Sequence, residues 1–273
     1  MVGREIFRNA SPGYLQLRAF REMGLIHAFS TREGGVSRPP YHALNLSFST
    51  GDDPEAVREN RSRLFKALGV EPSFVVRVRQ VHGDGVLAVD ENLVKWEGFP
   101  RVLLDEGFEY DAMVTNLSGL ALGIGTADCL PILLFDPRRK AIGAVHAGWR
   151  STVKRIAEKA VKAMVKIYGT NPQDLLAAIG PGIGGCCYEV DDPVIEPLEK
   201  ALPSWEAFAS SKENGRFHLD LSGVNERILE EAGLSLKHIF PLNLCTSCRR
   251  DLFYSYRAEK PRTGRMLSLI MLP

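Results

Sequence analysis

The sequence has no excess of charge of one sign, because its 273 residues include 34 lysines and arginines against 33 aspartates and glutamates. A net charge of +1 removes the usual electrostatic reason to expect a nucleic acid or a membrane surface as partner. No stretch approaches the roughly 20 consecutive apolar residues of a membrane-spanning helix. The first residues also lack the basic region and apolar run of a secretory signal. The sequence therefore predicts a cytoplasmic protein.

Linkers, low-complexity tracts and internal repeats are also missing from the sequence. The chain is 45% apolar, which is enough to bury a sizeable core, and its length allows one large domain or two closely packed halves. Short apolar runs alternate with clear helices. We therefore expect a single α/β domain over residues 1–273.

Cysteine is scarce, and its five copies are an odd number in a chain too large to need disulfides as staples. We therefore expect reduced thiols kept for chemistry or metal. Cys245 and Cys248 could share a metal or form a redox disulfide, and the alternative is two reduced, buried thiols. A structural zinc that also used Cys186 and Cys187 is less favoured, because adjacent cysteines seldom both fit one tetrahedral ion.

Local signals predict a series of strands and helices. Asp53 can cap a helix that Pro54 begins and Gly69 ends. The continuous apolar runs in the middle of the chain are typical of strands that are covered on both faces. The predicted helices cover residues 53–68, 151–168, 192–202 and 221–232, and the predicted strands cover residues 74–81, 86–89, 112–115, 120–125, 131–135, 141–145, 175–179 and 266–271.

Three potential metal ligands follow predicted strands. They are His82, Cys129 and His146. A thiolate and two imidazoles form a plausible zinc set, and three protein ligands leave the fourth tetrahedral position open, as in catalytic sites. The spacing of these residues matches no short zinc motif, so three separate buried groups are the alternative.

A glycine-rich segment, residues 180–185, follows the predicted strand 175–179. Its backbone N–H groups could hold a phosphate. The segment lacks the Gly-x-Gly-x-x-Gly spacing of dinucleotide-binding loops, and a tight connection is an equal alternative.

Several ordered segments together resemble one known family. They are His27-Ala28-Phe29-Ser30-Thr31-Arg32-Glu33-Gly34-Gly35-Val36-Ser37, Leu44-Asn45-Leu46, Gly51-Asp52-Asp53, Asn60-Arg61, Gln80-Val81-His82-Gly83, Thr126-Ala127-Asp128-Cys129-Leu130-Pro131, His146-Ala147-Gly148-Trp149-Arg150, Gly180-Pro181, Cys187-Tyr188-Glu189-Val190, Cys245-Thr246, Ser255-Tyr256-Arg257 and Thr263-Gly264-Arg265. Through these segments the chain resembles the YfiH family. That family is also called the laccase-domain or polyphenol oxidase family, and its members have since been reassigned as purine nucleoside phosphorylases.

The resemblance implies a fold, a metal and a reaction. The fold is a single α/β domain whose mixed β-sheets are layered between helices, in an α/β/β/α-like arrangement. The metal is zinc, held at the positions of His82, Cys129 and His146. The reaction is phosphorolysis of adenosine, inosine, guanosine or 5′-methylthioadenosine, and adenosine deamination is associated with the same family. Deamination needs an activated water, which zinc with an open position can supply.

Roles at the reacting centre follow from this resemblance together with chemistry. Asp128, beside the catalytic-site residue Cys129, is the candidate general acid or base, and the alternative is a carboxylate that orients a ligand histidine. Arg61 is the candidate for phosphate, since a guanidinium binds phosphate with two hydrogen bonds. Asn45 and Ser30 are expected beside it.

Two arginines and one aromatic residue are further substrate-binding candidates. Arg150 and Arg257 could also contact phosphate. Tyr188 could stack on a purine, although an aromatic residue beside Cys187 is more often part of the core. The expected partners are purine nucleosides and phosphate, and the expected assembly is a monomer or a weak homo-oligomer.

Of three other functions, the residues alone disfavour one and leave two open. A multicopper oxidase needs about ten imidazoles for four coppers, and six histidines disfavour it. A cysteine-dependent hydrolase would use Cys129 as nucleophile with His146 or His82 as base, and it would need no metal. A non-catalytic module that binds metal or nucleotide would hold zinc without turnover.

Overall fold

The computed structural model describes residues 5–95, 108–212 and 215–273. Its strands are β1 (Ile6–Ala10), β2 (Gly13–Leu17), β3 (Ile26–Ser30), β4 (Val75–Val76), β5 (Val86–Ala88), β6 (Ala112–Thr115), β7 (Ala121–Thr126), β8 (Leu130–Asp136), β9 (Ala141–Ala147), β10 (Leu176–Ile179), β11 (Glu189–Val190), β12 (Ala209–Ser211), β13 (Phe217–Leu219), β14 (Ile239–Pro241) and β15 (Met266–Met271). Its helices are α1 (Arg18–Glu22), α2 (Pro54–Leu68), α3 (Glu91–Lys95), α4 (Trp149–Val153), α5 (Ile156–Tyr168), α6 (Asp192–Ala201), α7 (Leu221–Glu231) and α8 (Tyr256–Glu259).

The strands form two six-stranded sheets and one small sheet. The first sheet has the order β1-β2-β3-β15-β7-β4, the second has the order β14-β10-β8-β9-β6-β5, and the small sheet has the order β11-β13-β12. Most neighbours are antiparallel, but the pairs β4 with β7, β5 with β6 and β10 with β14 are parallel. Both large sheets are therefore mixed.

Three apolar clusters separate four layers. Between the two large sheets lie side chains of both, such as Ile124 and Leu133. On the outer face of the first sheet, α2 packs through Leu64, and on the outer face of the second, α5 packs through Met164. Alternate residues of each central strand enter different clusters, which explains their continuous apolar sequences. The predicted α/β/β/α layering is confirmed.

The helix predicted over residues 53–68 forms as its end signals require. The Asp53 carboxylate accepts a hydrogen bond from the backbone N–H of Glu55, which satisfies a free donor of the first turn. Pro54 is the first helical residue, and Gly69 ends the helix at a φ of 67°.

The helix predicted over residues 151–168 is instead two helices. Arg155 lies between α4 and α5 with a φ of 60°, in the left-handed region that a continuous helix does not contain. Its guanidinium bonds Glu158 at 2.5 Å and Glu231 at 2.9 Å, so contacts with α7 help to hold this break. The apolar spacing could not show it, because both helices present apolar faces to the same layer.

The strand predicted over residues 74–81 is also wrong in extent. Only Val75 and Val76 form a strand, Phe74 ends a short 3-10 helix, and Arg79 makes a single bridge to Glu109. The sequence pattern did not predict β1–β3, β14, α1, α3, α8 or the small sheet. No helix in the described ranges is both long and apolar enough to cross a membrane.

Candidate metal centre and adjoining cavity

One end of the β8–β9 hairpin brings two of the potential ligands together. Cys129 directly precedes β8, and His146 is the penultimate residue of β9, where it pairs with Pro131. β6 lies on the other side of β9, and the loop before β5 carries His82. The pairing of neighbouring strands thus gathers residues that are far apart in sequence.

The three side chains form a compact donor set. The ligand atoms of His82, Cys129 and His146 all lie within 4.8 Å of one another, and the Cys129 Sγ is 3.8 Å from the His82 Nε2. The two imidazole rings meet edge to face with centroids 4.8 Å apart. This group could hold a metal ion, since a thiolate and imidazole nitrogens are ligands of zinc and copper.

Asp111 holds both histidines of this group in place by hydrogen bonds, a role that was not predicted from the sequence. Its Oδ1 is 2.7 Å from the His146 Nδ1, so the Nε2 of His146 is the nitrogen left for a metal. The same carboxylate accepts backbone N–H bonds from His82 at 3.0 Å and Gly83 at 2.6 Å. A fully buried carboxylate bonded to a ligand histidine is a recurrent feature of metal sites. The available signal was an acidic residue directly before a fully buried strand.

The electrostatics of the group favour an ionised thiol. Burial opposes ionisation of Cys129, but the charge of His146 and hydrogen bonds from both histidines lower its pKa from 9.0 to about 6. Burial also opposes protonation of His146, yet the Cys129 thiolate and Asp111 raise its pKa to about 9. A thiolate is the form that binds a metal or attacks as a nucleophile.

A cavity of about 950 Å³ adjoins the three side chains. This volume falls at the upper end of the range for small-molecule sites. Among the predicted substrate residues, Arg150, Tyr188 and Arg257 line it, together with Asp128. The cavity wall also contains residues that were given no role from the sequence, among them Arg77, Arg79, Trp149, Tyr256 and Arg265.

Asp128 does not orient a ligand histidine, because Asp111 does so. The Asp128 carboxylate accepts hydrogen bonds from the Thr246 hydroxyl and from the backbone N–H of Arg257, both at 2.6 Å. Its φ of 87° is in the left-handed region, which costs energy for a residue other than glycine. Asp128 therefore connects the segments that carry Thr246 and Arg257 to the cavity wall next to Cys129.

Tyr188 lies partly in the core and partly at the cavity. Only 8% of the residue is exposed, and it packs in the cluster between the second sheet and its helices. The guanidinium carbon of Arg257 lies 5.2 Å from its ring centroid. Burial raises the pKa of its phenol, so the hydroxyl stays protonated.

The other predicted substrate residues lie outside the wall of this cavity; they are Ser30, Asn45 and Arg61. The Ser30 hydroxyl accepts the backbone N–H of Leu267, inside the first sheet. Asn45 accepts the N–H of Arg265 at 2.9 Å and donates to Asp52 at 2.9 Å. These side chains support the wall from behind, and their direct contact with substrate stays a prediction.

Arg61 is also buried behind the cavity. Its Nε donates to the Leu46 carbonyl at 2.7 Å, and its guanidinium carbon lies 4.3 Å from the Phe48 ring centroid. Arg61 is only 3% exposed, and its contact with phosphate stays a prediction.

The glycine-rich segment 180–185 is a tight connection. The backbone N–H groups of Gly180, Gly182 and Ile183 donate to carbonyls of Pro131, Leu244 and Asp128. A Cβ at Gly180 would lie 2.3 Å from the Phe29 ring, so close packing explains that glycine. These N–H groups are used within the protein, and the phosphate-binding alternative is wrong for them.

Comparison with known proteins agrees with this architecture. A family model described as multi-copper polyphenol oxidoreductase laccase matches residues 26–273. A purine nucleoside phosphorylase of Deinococcus radiodurans is 43% identical over 264 residues, which are 96% of this chain and 95% of that protein. The adenosine deaminase RL5, of unknown prokaryotic origin, is 35% identical and covers 88% of this chain and 91% of its own.

A solved structure supports the same assignment. The YfiH protein of Bacillus licheniformis superposes with a TM-score of 0.89 at 34% identity, covering 96% of this chain and 97% of its own. The family model and these relatives extend over most of the sequence and over both large sheets. The chain belongs to the family that this model describes, the YfiH family.

Proposed function

We propose that this protein is a zinc-dependent purine nucleoside phosphorylase. The observation that carries the proposal is one cavity that adjoins both the His82, Cys129 and His146 donor set and several arginines. A neutral nucleoside and an anionic phosphate could therefore bind side by side. The name of the Deinococcus radiodurans relative supports the same reaction.

The reaction exchanges one bond at C1′ of the sugar for another. The bond to the purine nitrogen breaks, a bond to a phosphate oxygen forms, and the products are free purine and pentose 1-phosphate. Positive charge develops on the sugar and negative charge on the purine. Arg150 and Arg265, both at the cavity wall, would hold the phosphate.

Asp128 is the proposed general acid/base: its carboxylate would take the proton of the attacking hydrogen phosphate and give it to the departing purine nitrogen. It is a carboxylate that lines the cavity beside Cys129. A carboxylate has about four acceptor sites, so the two hydrogen bonds from Thr246 and Arg257 leave capacity for a substrate. These two bonds would keep it in place during the reaction.

The donor set fits zinc. Two imidazoles and a thiolate with an open fourth position are the pattern of catalytic zinc sites, and when bound the ion would supply Lewis-acid polarisation. A blue-copper centre most often adds a methionine sulfur as a weak axial ligand, and no described methionine lines the cavity, although Gln80 does. Four coppers would need many more than two imidazoles. Among the described residues, the potential metal-binding group contains only two histidines, His82 and His146.

The test incubates the zinc-loaded protein with adenosine, inosine, guanosine and 5′-methylthioadenosine, with and without phosphate, and separates the products by chromatography. We expect free purine only when phosphate is present. Arg150→Met should raise the KM for phosphate about 10–150-fold, since a hydrogen bond to a charged group contributes about 1.5–3 kcal/mol. Arg138→Met, which removes an exposed arginine that pairs with Asp174, is the matched control. Phosphate-independent release of purine would contradict the proposal.

Adenosine deamination is the second candidate, favoured by the similarity to RL5. The same experiment separates it, because inosine would form from adenosine without phosphate. If neither purine nor inosine forms although the zinc-loaded protein still binds nucleoside, the protein is a binding module.

One observation favours a cysteine hydrolase. Asp111 contacts His146, and His146 in turn contacts Cys129, which matches an acid–histidine–nucleophile arrangement. It gives no role to His82, which the metal site uses. A chelator would abolish phosphorolysis, whereas a metal-free hydrolase would keep its activity.

A further inference from the structure

Four cysteines outside this site converge at one place. Cys186 and Cys187 come from the segment after the glycine-rich connection, and Cys245 and Cys248 come from the loop after β14. All four sulfur atoms lie within 4.8 Å of one another. The Cys248 Sγ is 3.4 Å from the Sγ of Cys186 and 3.4 Å from that of Cys187.

This spacing is that of a tetrathiolate metal site. Zinc–sulfur bonds of about 2.3 Å in a tetrahedron place the sulfurs about 3.8 Å apart. The two sulfur–sulfur distances of 3.4 Å are slightly shorter than that value, and the limit of 4.8 Å that holds for all four sulfurs includes it. The objection that adjacent cysteines fit one ion poorly does not apply here, because Cys186 and Cys187 both reach Cys248.

The backbone around the cluster is arranged as thiolates require. The N–H of Gly184 donates to the Cys245 Sγ at 3.3 Å. The two cysteine-bearing segments are joined by a bridge between Gly182 and Cys245 and by the N–H of Thr246, which donates to Gly182. The thiols are thus preorganised by a shared framework.

From this geometry we propose that Cys186, Cys187, Cys245 and Cys248 bind a second, structural zinc ion. Four thiolates form a closed site with no position for substrate, unlike the three-ligand group at the cavity. Cys186 and Cys248 are exposed, so an ion can reach the site from solvent.

The ion would stabilise one wall of the cavity. Ile183 and Tyr188 line the cavity from the segment that carries Cys186 and Cys187. Thr246, between the other two cysteines, holds Asp128 by a hydrogen bond of 2.6 Å. Zinc would cross-link these two segments, and its binding free energy would stabilise the folded protein, because the unfolded chain has no preformed site.

The test measures zinc per chain by elemental analysis on protein purified under reducing conditions without an affinity tag that binds metal. We expect two zinc ions in the wild type, one in Cys129→Ala and one in Cys248→Ser. Ser247→Ala, a change in the same loop at a residue that is not a ligand, should keep both and serves as the matched control. X-ray absorption of Cys129→Ala should show four sulfurs at about 2.3 Å and no nitrogen.

A zinc-free Cys129→Ala protein would overturn the proposal, and so would wild-type zinc content in Cys248→Ser. If Cys248→Ser does not fold, Cys129→Ala alone decides the matter, because it leaves the four cysteines intact. A mass lower by two hydrogens, with two fewer titratable thiols, would show a disulfide in place of the metal. The result does not depend on the phosphorolysis assay, which tests the other site.

Discussion

A single buried carboxylate shows how much of this site depends on residues that touch no substrate. Asp111 bonds one ligand histidine through its side chain and another through its backbone N–H. The sequence could not single it out, because it belongs to none of the motifs that carry the family resemblance and its partner is 35 positions away. The cluster of His82, Cys129 and His146, which could hold a metal ion, was predictable, since the resemblance named these positions.

We predict that Asp111→Asn weakens zinc binding at the cavity by about 10–100-fold, because the amide no longer fixes the His146 ring as a charged acceptor. The measurement is competition with a chelating dye. Asp136→Asn is the matched control, since Asp136 is equally buried but bonds the N–H groups of Arg138 and Arg139 at the opposite end of β8. Equal zinc affinities in the two variants would contradict the role given to Asp111.

At the scale of elements, predictions succeeded where the signals are local. The ends of α2 are set by Asp53, Pro54 and Gly69, which act within a few residues. The small sheet could not be predicted, because strands of two or three residues carry too little pattern. The break before α5 depends on Glu231, which is remote in sequence.

The start of α4 lies directly against two of the proposed metal ligands, Cys129 and His82. A Cβ at Gly148 would be 2.9 Å from the Cys129 Sγ and 3.1 Å from a carbon of the His82 ring. The Gly148 φ of −73° is open to any residue, so the constraint here is contact alone.

We therefore expect Gly148→Ala to lower zinc affinity and activity at least tenfold, while the free energy of unfolding of the zinc-free protein falls by only about 1–3 kcal/mol. Zinc titration and urea unfolding measure the two effects. Gly143→Ala, on the neighbouring part of β9, provides the comparison, because its Cβ would meet Leu134 at an ordinary 3.4 Å. Unchanged zinc affinity in Gly148→Ala would refute this contact argument.

For the whole molecule, one buried histidine makes stability depend on pH. His27 is fully buried in β3, where its Nε2 accepts the N–H of Leu17 at 2.8 Å and its Nδ1 lies 3.2 Å from the Leu25 carbonyl. Burial is the largest cause that lowers its pKa, from 6.5 to about 4. Between pH 6.5 and about 4, the imidazole therefore binds a proton in the unfolded chain but not in the folded protein. The free energy of unfolding falls as the pH drops through this range.

The expected contribution of His27 is a loss of about 2 kcal/mol between pH 7 and pH 5, measured by urea unfolding. His27→Gln should be less stable at pH 7 because a buried bond is disturbed, and its stability should fall less steeply with acid. His218→Gln, in the small sheet, should keep the wild-type slope. Parallel pH profiles for wild type and His27→Gln would exclude this origin of acid sensitivity.

The β8–β9 hairpin extends through the second sheet with its two ends in different surroundings. Cys129 and His146 are at one end, and the exposed turn between Asp136 and Ala141 is at the other, about 20 Å away at about 3.4 Å per residue. That turn offers a point of attachment. A fluorophore or a solid support coupled there would present every molecule with its cavity facing away from the linkage, which gives an oriented array of accessible sites.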